Sequence, residues 1–250
     1  MSQLQDEIDA NQVKFFRNWT AQAAKNWKAL GANDIYKASY RRLCAVQAIK
    51  TELVVPHYKA GSAAFFFEAH NDTLVSHVNA SIGAWRSALQ ALRSCEENVL
   101  AAIYYNDHPV ELELWETGKF QISFSDLLKY AEKHPRLSKF GQQLTGVETI
   151  HTEYATLSKA VHASAANFRM TDAISNVLLW NVDPVKLSMW ATRERRVIEG
   201  VSSLMVCLHS TLLQGTALTQ LRNVLHFSIS SNIRKRLKTV ANVTIPERLS

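Results

Sequence analysis

The chain has 250 residues, of which 47% are apolar and 20% are charged, a composition that supports a sizeable core and excludes wholesale disorder. Its eight glycines and five prolines are too few for the turns of a β-sandwich or for the glycine-rich loops of a doubly wound sheet. The net charge of +6 lies in one segment, because residues 185–250 hold ten Lys or Arg and three Asp or Glu, whereas residues 1–184 balance to −1.

The first half of the chain is predicted to be helical, with prolines dividing it into blocks. Two or three helices are expected before Pro56, with a break at GAND (31–34) where Asn33 or Asp34 caps the next helix. Apolar residues at spacings of three, four and seven predict one long helix over residues 74–105. Its apolar stripe consists of Trp85, Ala88, Leu89, Leu92, Val99, Leu100 and Ile103.

The second half continues this pattern. The stretch VELELWETG is ambiguous, so at most one short strand pair is expected around residues 110–123, and SFSD (123–126) resembles a capping box before a short helix. A helix is expected over 147–165, and another begins at Asp183-Pro184, runs to Leu213, breaks at Gly215 and resumes through Leu237. The fold class predicted is an all-α multi-helix bundle, with 1–250 as a single helical domain and a subdivision near 135–145 left open.

Residues 200–221 contain no charged side chain and are long enough to span a bilayer. Their Ser, Thr, Gln and His residues favour a buried helix instead, so no membrane association is expected. Cys44, Cys95 and Cys207 form no Cys-x-x-Cys pair, and the chain starts with the polar sequence MSQLQDEIDA. We therefore expect reduced thiols and a cytoplasmic location.

The common cofactor motifs are missing from the sequence. No HExxH, GxxxxGK, GxGxxG or GxSxG occurs, so zinc-peptidase, P-loop, dinucleotide-binding and serine-hydrolase functions are set aside. The nine histidines form no spacing typical of a metal site. No metal and no cofactor are expected.

Four residues are candidates for catalysis. Arg93, four residues before Glu97, either belongs to a solvated helix face or grips a phosphate group. His162, four residues after Ser158, is either a half-buried bundle histidine or a general acid–base group. Arg222 and His226 lie one helical turn apart in LRNVLHF, where they either form a surface turn or bind a phosphodiester and move its proton.

The basic residues Arg234, Lys235, Arg236 and Lys238 in IRKRLK are candidates for nucleic-acid binding. Clustered positive charge attracts the phosphate backbone regardless of base sequence. The alternative is that they cap the carboxyl end of their helix.

Three stretches, WRSALQALRSCEENVLAAIYYNDHP, YATLSKAVHAS and LRNVLHF, together resemble the HEPN superfamily of helical proteins, which is common in bacterial toxins and defence systems. The resemblance touches about a third of the chain. It implies a helix bundle that often dimerises and, in catalytic members, metal-independent ribonuclease activity through an Arg followed by a His after four to six positions. Here only three residues separate Arg222 from His226.

Two functional hypotheses follow. The first is an RNA-acting HEPN-like protein, a bacterial toxin or anti-phage defence effector with metal-independent ribonuclease chemistry. The second is a non-catalytic helical subunit that binds a protein or nucleic-acid partner in a larger assembly, which the shortened motif and the six Trp residues favour. Whether the chain is an enzyme stays open, as does the choice among RNA, a protein partner and a homodimer.

Overall fold

The computed structural model describes residues 2–161, 168, 170 and 179–247, and every regular element within them is helical. The predicted all-α bundle is therefore confirmed. A π-helical turn (Lys50–Val54) joins the second and third helices, and a 3-10 turn (Ser210–Leu213) follows the tenth. The helices are α1 (Gln3–Gly31), α2 (Asp34–Ile49), α3 (Val55–His57), α4 (Ala60–Ser81), α5 (Trp85–Asp107), α6 (Pro109–Glu116), α7 (Phe124–Lys133), α8 (Gln142–Thr145), α9 (Val147–Val161), α10 (Pro184–Leu208), α11 (Thr219–Leu225) and α12 (Ser231–Ala241).

The prediction of one helix over residues 74–105 is wrong, because the chain reverses between α4 and α5. Gly83 in the turn has a φ of +71°, a left-handed conformation that glycine adopts without steric cost. The carbonyl of Asn79 accepts hydrogen bonds from the backbone N–H groups of Ile82 and Ala84, which closes the end of α4. The apolar stripe itself is confirmed on α5, where all seven of its residues are buried.

Three predicted helix starts are confirmed at the level of hydrogen bonds. Asn33 Oδ1 accepts from the backbone N–H of Tyr36 at 3.1 Å and caps α2. The side chains of Ser123 and Asp183 cap α7 and α10 in the same way. These side-chain oxygens satisfy N–H groups that have no partner within the helix.

Two other predictions differ from the structure. The expected strand pair around residues 110–123 is replaced in its first part by α6, which begins at Pro109 because proline fits the first helical position. The carboxyl-terminal helix pattern is also more broken than expected. α10 ends at Leu208 rather than Leu213, and residues 226–230 separate α11 from α12 where one helix was predicted through Leu237.

The start of the uncharged segment lies inside the bundle, with every residue of Gly200–Leu208 buried. No helix among the described residues is long and apolar enough to cross a membrane. Gly200 meets Gly146, which has a φ of +76°. A Cβ placed on Gly146 would lie 2.4 Å from the carbonyl oxygen of Gly200, so this contact requires glycine.

One cluster of buried apolar residues extends from Leu30 in α1 to Ile245 after α12. It includes Leu137, Phe140 and Leu144, so the apolar cluster continues through residues 135–145, where the sequence leaves a subdivision open. α5 contacts α4, α7, α9 and α10, so it forms the centre of the bundle.

A buried ion pair crosses this core between α2 and α10. The Arg42 guanidinium donates to Glu194 Oε2 from Nε at 2.7 Å, and its Nη2 lies 2.5 Å from the same oxygen. Ser39 Oγ donates to Glu194 Oε1 at 3.1 Å and lies 3.0 Å from His77 Nδ1, which adds α4 to the network. Burial, with Arg42 nearby, lowers the pKa of His77 to about 4, so this histidine is neutral at pH 7.

We predict that Glu194→Leu destabilises the protein by about 3–5 kcal/mol, because it leaves the Arg42 charge buried and unpaired. The double variant Arg42→Met/Glu194→Leu should lose much less, since no charge then remains in the core. Urea unfolding of both single variants and the double variant measures the coupling. If the stability losses of the two single variants simply add up in the double variant, the Arg42–Glu194 ion pair is contradicted.

A second buried carboxyl, Glu96 on α5, has no hydrogen-bond partner among the described residues. The nearby Glu153 on α9 is also fully buried, but Arg193 and Arg196 of α10 pair with it at 3.0 and 2.9 Å. Burial, reinforced by the charges of Glu153 and Glu97, raises the pKa of Glu96 well above its ordinary value. Burial therefore favours the protonated form of Glu96 in the folded protein.

Glu96→Met should raise stability at pH 8 by about 1–3 kcal/mol, the usual cost of a buried polar group without a partner. The unfolded chain releases this proton near pH 4.5 and the folded chain releases it only at higher pH, so wild-type stability should fall as pH rises from 4.5. The gain should therefore shrink towards pH 4.5. Chemical unfolding at several pH values checks this, with Glu96→Gln as the control that keeps the polar group but cannot titrate.

Candidate active site

Arg93 joins α5 to α9. Its Nε donates to Ser158 Oγ at 3.2 Å, its Nη2 donates to the Tyr154 hydroxyl, and the same Nη2 lies 3.0 Å from Glu97 Oε1. The guanidinium carbon also lies 4.6 Å from the centre of the Tyr154 ring. Two of the three nitrogens of the Arg93 guanidinium, Nε and Nη2, are therefore bound to protein groups, which favours the structural interpretation of this residue. His162, the candidate expected beside Ser158, lies outside the described residues.

Arg222 is buried against the carboxyl-terminal segment and does not face His226. Its Nη2 donates to Thr219 Oγ1 at 3.1 Å, and its Nη1 lies 3.5 Å from the carbonyl oxygen of Thr244. These contacts hold α11 against the irregular segment that follows α12. The Arg222–His226 pair expected from the sequence spacing is not formed.

His226 instead meets Arg234 of α12. Arg234 Nη1 lies 2.8 Å from His226 Nδ1 and donates to the His226 carbonyl oxygen at 2.9 Å. His226 Nδ1 is also 2.8 Å from the carbonyl oxygen of Pro246. Both residues line a cleft of about 290 Å³ with Arg195 and Glu199.

The residues predicted to bind nucleic acid differ in accessibility. Lys235 and Lys238 are exposed, Arg236 is half-buried, and Arg234 is buried through its contact with His226. The accessible positive surface of α12 is therefore narrower than the sequence suggested.

A larger polar cleft of about 430 Å³ lies where α3, α5, the segment after α7 and the turn after α10 meet. We call it the histidine cleft. It brings together three histidines with one carboxylate and two cations, and none of these residues was predicted as a site residue. Its polar side chains are His57, Tyr58, Asn106, Asp107, His134, Arg136, Lys139, His209, Ser210 and Thr211.

Asp107 and His134 form a fixed pair in one wall of the histidine cleft. The backbone N–H of Arg136 donates to His134 Nδ1 at 3.1 Å, which places the ring proton on Nε2, 3.0 Å from Asp107 Oδ2. Tyr130 donates to the same oxygen at 2.9 Å. Burial raises the pKa of Asp107, but these hydrogen bonds and nearby positive charge outweigh it and hold the pKa below its ordinary value. Asp107 is therefore an anion at neutral pH.

The histidine cleft also contains His57 and His209, whose rings are stacked with centroids 6.1 Å apart. His57 is exposed, whereas His209 is 5% exposed. Burial, with His57 and Arg136 nearby, lowers the pKa of His209 to about 4. The Tyr58 hydroxyl lies 3.4 Å from His209 Nε2, and burial raises the Tyr58 pKa, so Tyr58 stays protonated.

This arrangement suits an anionic ligand and proton transfer. His209 is neutral with a lone pair, His57 is open to solvent, and Arg136 and Lys139 are exposed cations at the rim. No group of three or more His, Cys, Asp or Glu residues within the described part of the chain could hold a metal ion. Comparison with protein-family models, curated proteins and solved structures found no match.

The sequence carried only weak signals for the histidine cleft. Asp107-His108-Pro109 and His134-Pro135 each mark the end of a helix, where polar residues meet unpaired carbonyl groups. His57 and His209 are 152 positions apart in the numbering, and no local pattern links them. Their proximity depends on the way α2 and α10 pack.

The low pKa of His209 predicts a specific loss of stability in acid. The unfolded chain takes up a proton near pH 6.5 but the folded chain does so only near pH 4. The contribution of His209 is therefore present above pH 6.5 and is lost as pH falls to about 4. His209→Gln should flatten the stability profile in this window by up to about 1.4 kcal/mol per pH unit and leave its slope above pH 7.5 unchanged. Unfolding measured from pH 4 to 8 checks this, and an unaltered slope below pH 6.5 would contradict it.

Proposed function

We propose that this protein cleaves RNA without a metal ion and that the histidine cleft is its active site. The observation that supports this is the His57–His209 pair, with ring centroids 6.1 Å apart, in a cleft that also holds Arg136 and Lys139. Two histidines at this separation can exchange protons with the attacking oxygen and the leaving oxygen, which lie on opposite sides of the phosphorus atom. Cations beside them stabilise the charge that develops on the phosphate.

In the proposed reaction, the neutral His209 accepts the proton of a ribose 2′-hydroxyl while the 2′-oxygen attacks the adjacent phosphorus. The bond from phosphorus to the 5′-oxygen breaks, and the leaving oxygen takes a proton from His57. The products are a 2′,3′-cyclic phosphate and a free 5′-hydroxyl. Arg136 and Lys139 hold the non-bridging oxygens, and deprotonated Asp107 orients His134 in the cleft wall.

A bound phosphate would make His209 a better base. The pKa of His209 is low because of burial and the positive charges of His57 and Arg136. A phosphate anion favours the protonated imidazole and so raises the pKa towards neutrality. Proton transfer to His209 then becomes easier in the complex than in the free protein.

The resemblance to the HEPN superfamily supports the same chemical class, although the residues differ from Arg222 and His226. Lys235 and Lys238 on α12 are exposed and could add contacts to the RNA backbone. A role as a bacterial toxin or anti-phage defence effector remains part of this proposal.

The alternative function is a non-catalytic subunit that binds RNA or a similar polyanion in the histidine cleft. One observation favours it. His209, the proposed base, is only 5% exposed, and its Nε2 lies 3.4 Å from the Tyr58 hydroxyl, which limits the access of a ribose hydroxyl to this ring. In this case Arg136 and Lys139 would carry the binding and no bond would break.

We predict that His57→Ala lowers the rate of RNA cleavage by about 10²–10⁴-fold, the usual contribution of a general acid. The matched control is His151→Ala, an exposed histidine on α9 outside the cleft, which should cleave like wild type. Total tRNA incubated in EDTA, with the 3′ ends analysed for cyclic phosphate, measures both. Equal cleavage by the two variants would exclude the site, and RNA that is bound by wild type but never cut would select the alternative function.

A further inference from the structure

The first half of α1 stands away from the bundle. All residues from Ser2 to Asn18 are exposed, and the first buried residue of α1 is Ala23. Trp19 marks the boundary, because its ring packs on Trp180 with centroids 5.0 Å apart. An isolated helix of this length is only marginally stable in water. A partner that covers one face of this exposed half of α1 would stabilise it.

The exposed half of α1 carries an apolar stripe. Leu4, Ile8, Phe15 and Trp19 are spaced by four, seven and four residues, which places them within an arc of about 60° on one side of a helix. Leu4, Ile8 and Phe15 are 64%, 57% and 54% exposed. The stripe is about 22 Å long. Rows of exposed apolar side chains on a protein surface mark interaction sites.

The stripe is symmetric about the midpoint between Asn11 and Gln12. Leu4 and Trp19 lie equally far from that midpoint, and so do Ile8 and Phe15. A second copy of the helix running in the opposite direction would therefore place Leu4 against Trp19 and Ile8 against Phe15, and each contact would occur twice. Self-complementarity of this kind is what a two-fold interface requires.

The charges on this half of α1 differ in sign on the two sides of the same midpoint. Asp6, Glu7 and Asp9 precede the midpoint, whereas Lys14 and Arg17 follow it. In an antiparallel pair the acidic half of one helix lies beside the basic half of the other. Glu7 and Lys14 also flank the stripe on the same side of the helix. In the antiparallel pair, Glu7 of one copy therefore lies near Lys14 of the other copy, and the contact occurs twice. A parallel pair would place like charges together.

We propose that α1 is a homodimerisation helix, and that two copies of this chain pair antiparallel through Leu4, Ile8, Phe15 and Trp19 about a two-fold axis between Asn11 and Gln12. The contact is a single short helix pair, so the affinity should be micromolar rather than nanomolar. The pairing does not depend on the activity proposed for the histidine cleft, because its test reads molecular mass.

The first experiment is sedimentation velocity of the full chain over a concentration series up to about 100 μM. Wild type should approach the dimer mass, and Ile8→Asp should weaken association by at least about tenfold, since a charge would be buried in the stripe. Val13→Asp is the matched control: Val13 is 70% exposed on the opposite side of the same helix, so this variant should associate like wild type. A monomeric wild type at the highest concentration, or equal loss in both variants, would overturn the proposal.

A charge exchange tests the antiparallel orientation. Glu7→Lys should weaken the dimer, and so should Lys14→Glu, because each places like charges side by side. The double variant Glu7→Lys/Lys14→Glu should recover wild-type association, since the two reversed charges meet again across the two-fold axis. Failure of the double variant to recover would exclude this register, and an association that only appears with a different added protein would replace the homodimer by a heteromeric contact.

Discussion

The buried pair between Arg42 and Glu194 sets the geometry on which the rest of the molecule depends. It fixes α2 beside α10 in the middle of the core, and Ser39 and His77 extend the contact to α4. His57 lies fifteen residues after Arg42, and His209 lies fifteen residues after Glu194. The ion pair aligns α2 with α10, and each histidine follows one member of the pair by the same number of residues. Both histidines therefore lie at the same end of the bundle. The histidine cleft is a consequence of this register.

Several basic side chains of the carboxyl-terminal segment bind groups within the protein. Arg193 and Arg196 neutralise the fully buried Glu153. Arg222 and Arg234 are buried and bind groups of their own segment. The excess of positive charge in this segment therefore does not form an external surface of the same size, because a count of charges along the sequence does not show which of them pair across helices.

Local signals in the sequence predicted local structure well. The caps at Asn33, Ser123 and Asp183 depend on one side chain and the next turn of backbone, so a short pattern contains all the information. The turn at Gly83 was missed because a single glycine interrupts an apolar pattern that continues on both sides. The histidine cleft could not be predicted, since its residues come from four separate segments that only tertiary packing brings together.

The contact between Gly146 and Gly200 limits how this end of the bundle can move. With backbone touching backbone there is no side chain to rotate out of the way, so α10 cannot slide along the start of α9 without a collision. The contact therefore restricts α10 at Gly200, nine residues before His209. The segment with Arg136 and Lys139 follows α7, and both side chains are exposed. The cleft is thus held on one side by a contact between two backbones, whereas the exposed side chains of Arg136 and Lys139 have room to adjust to the shape of a ligand.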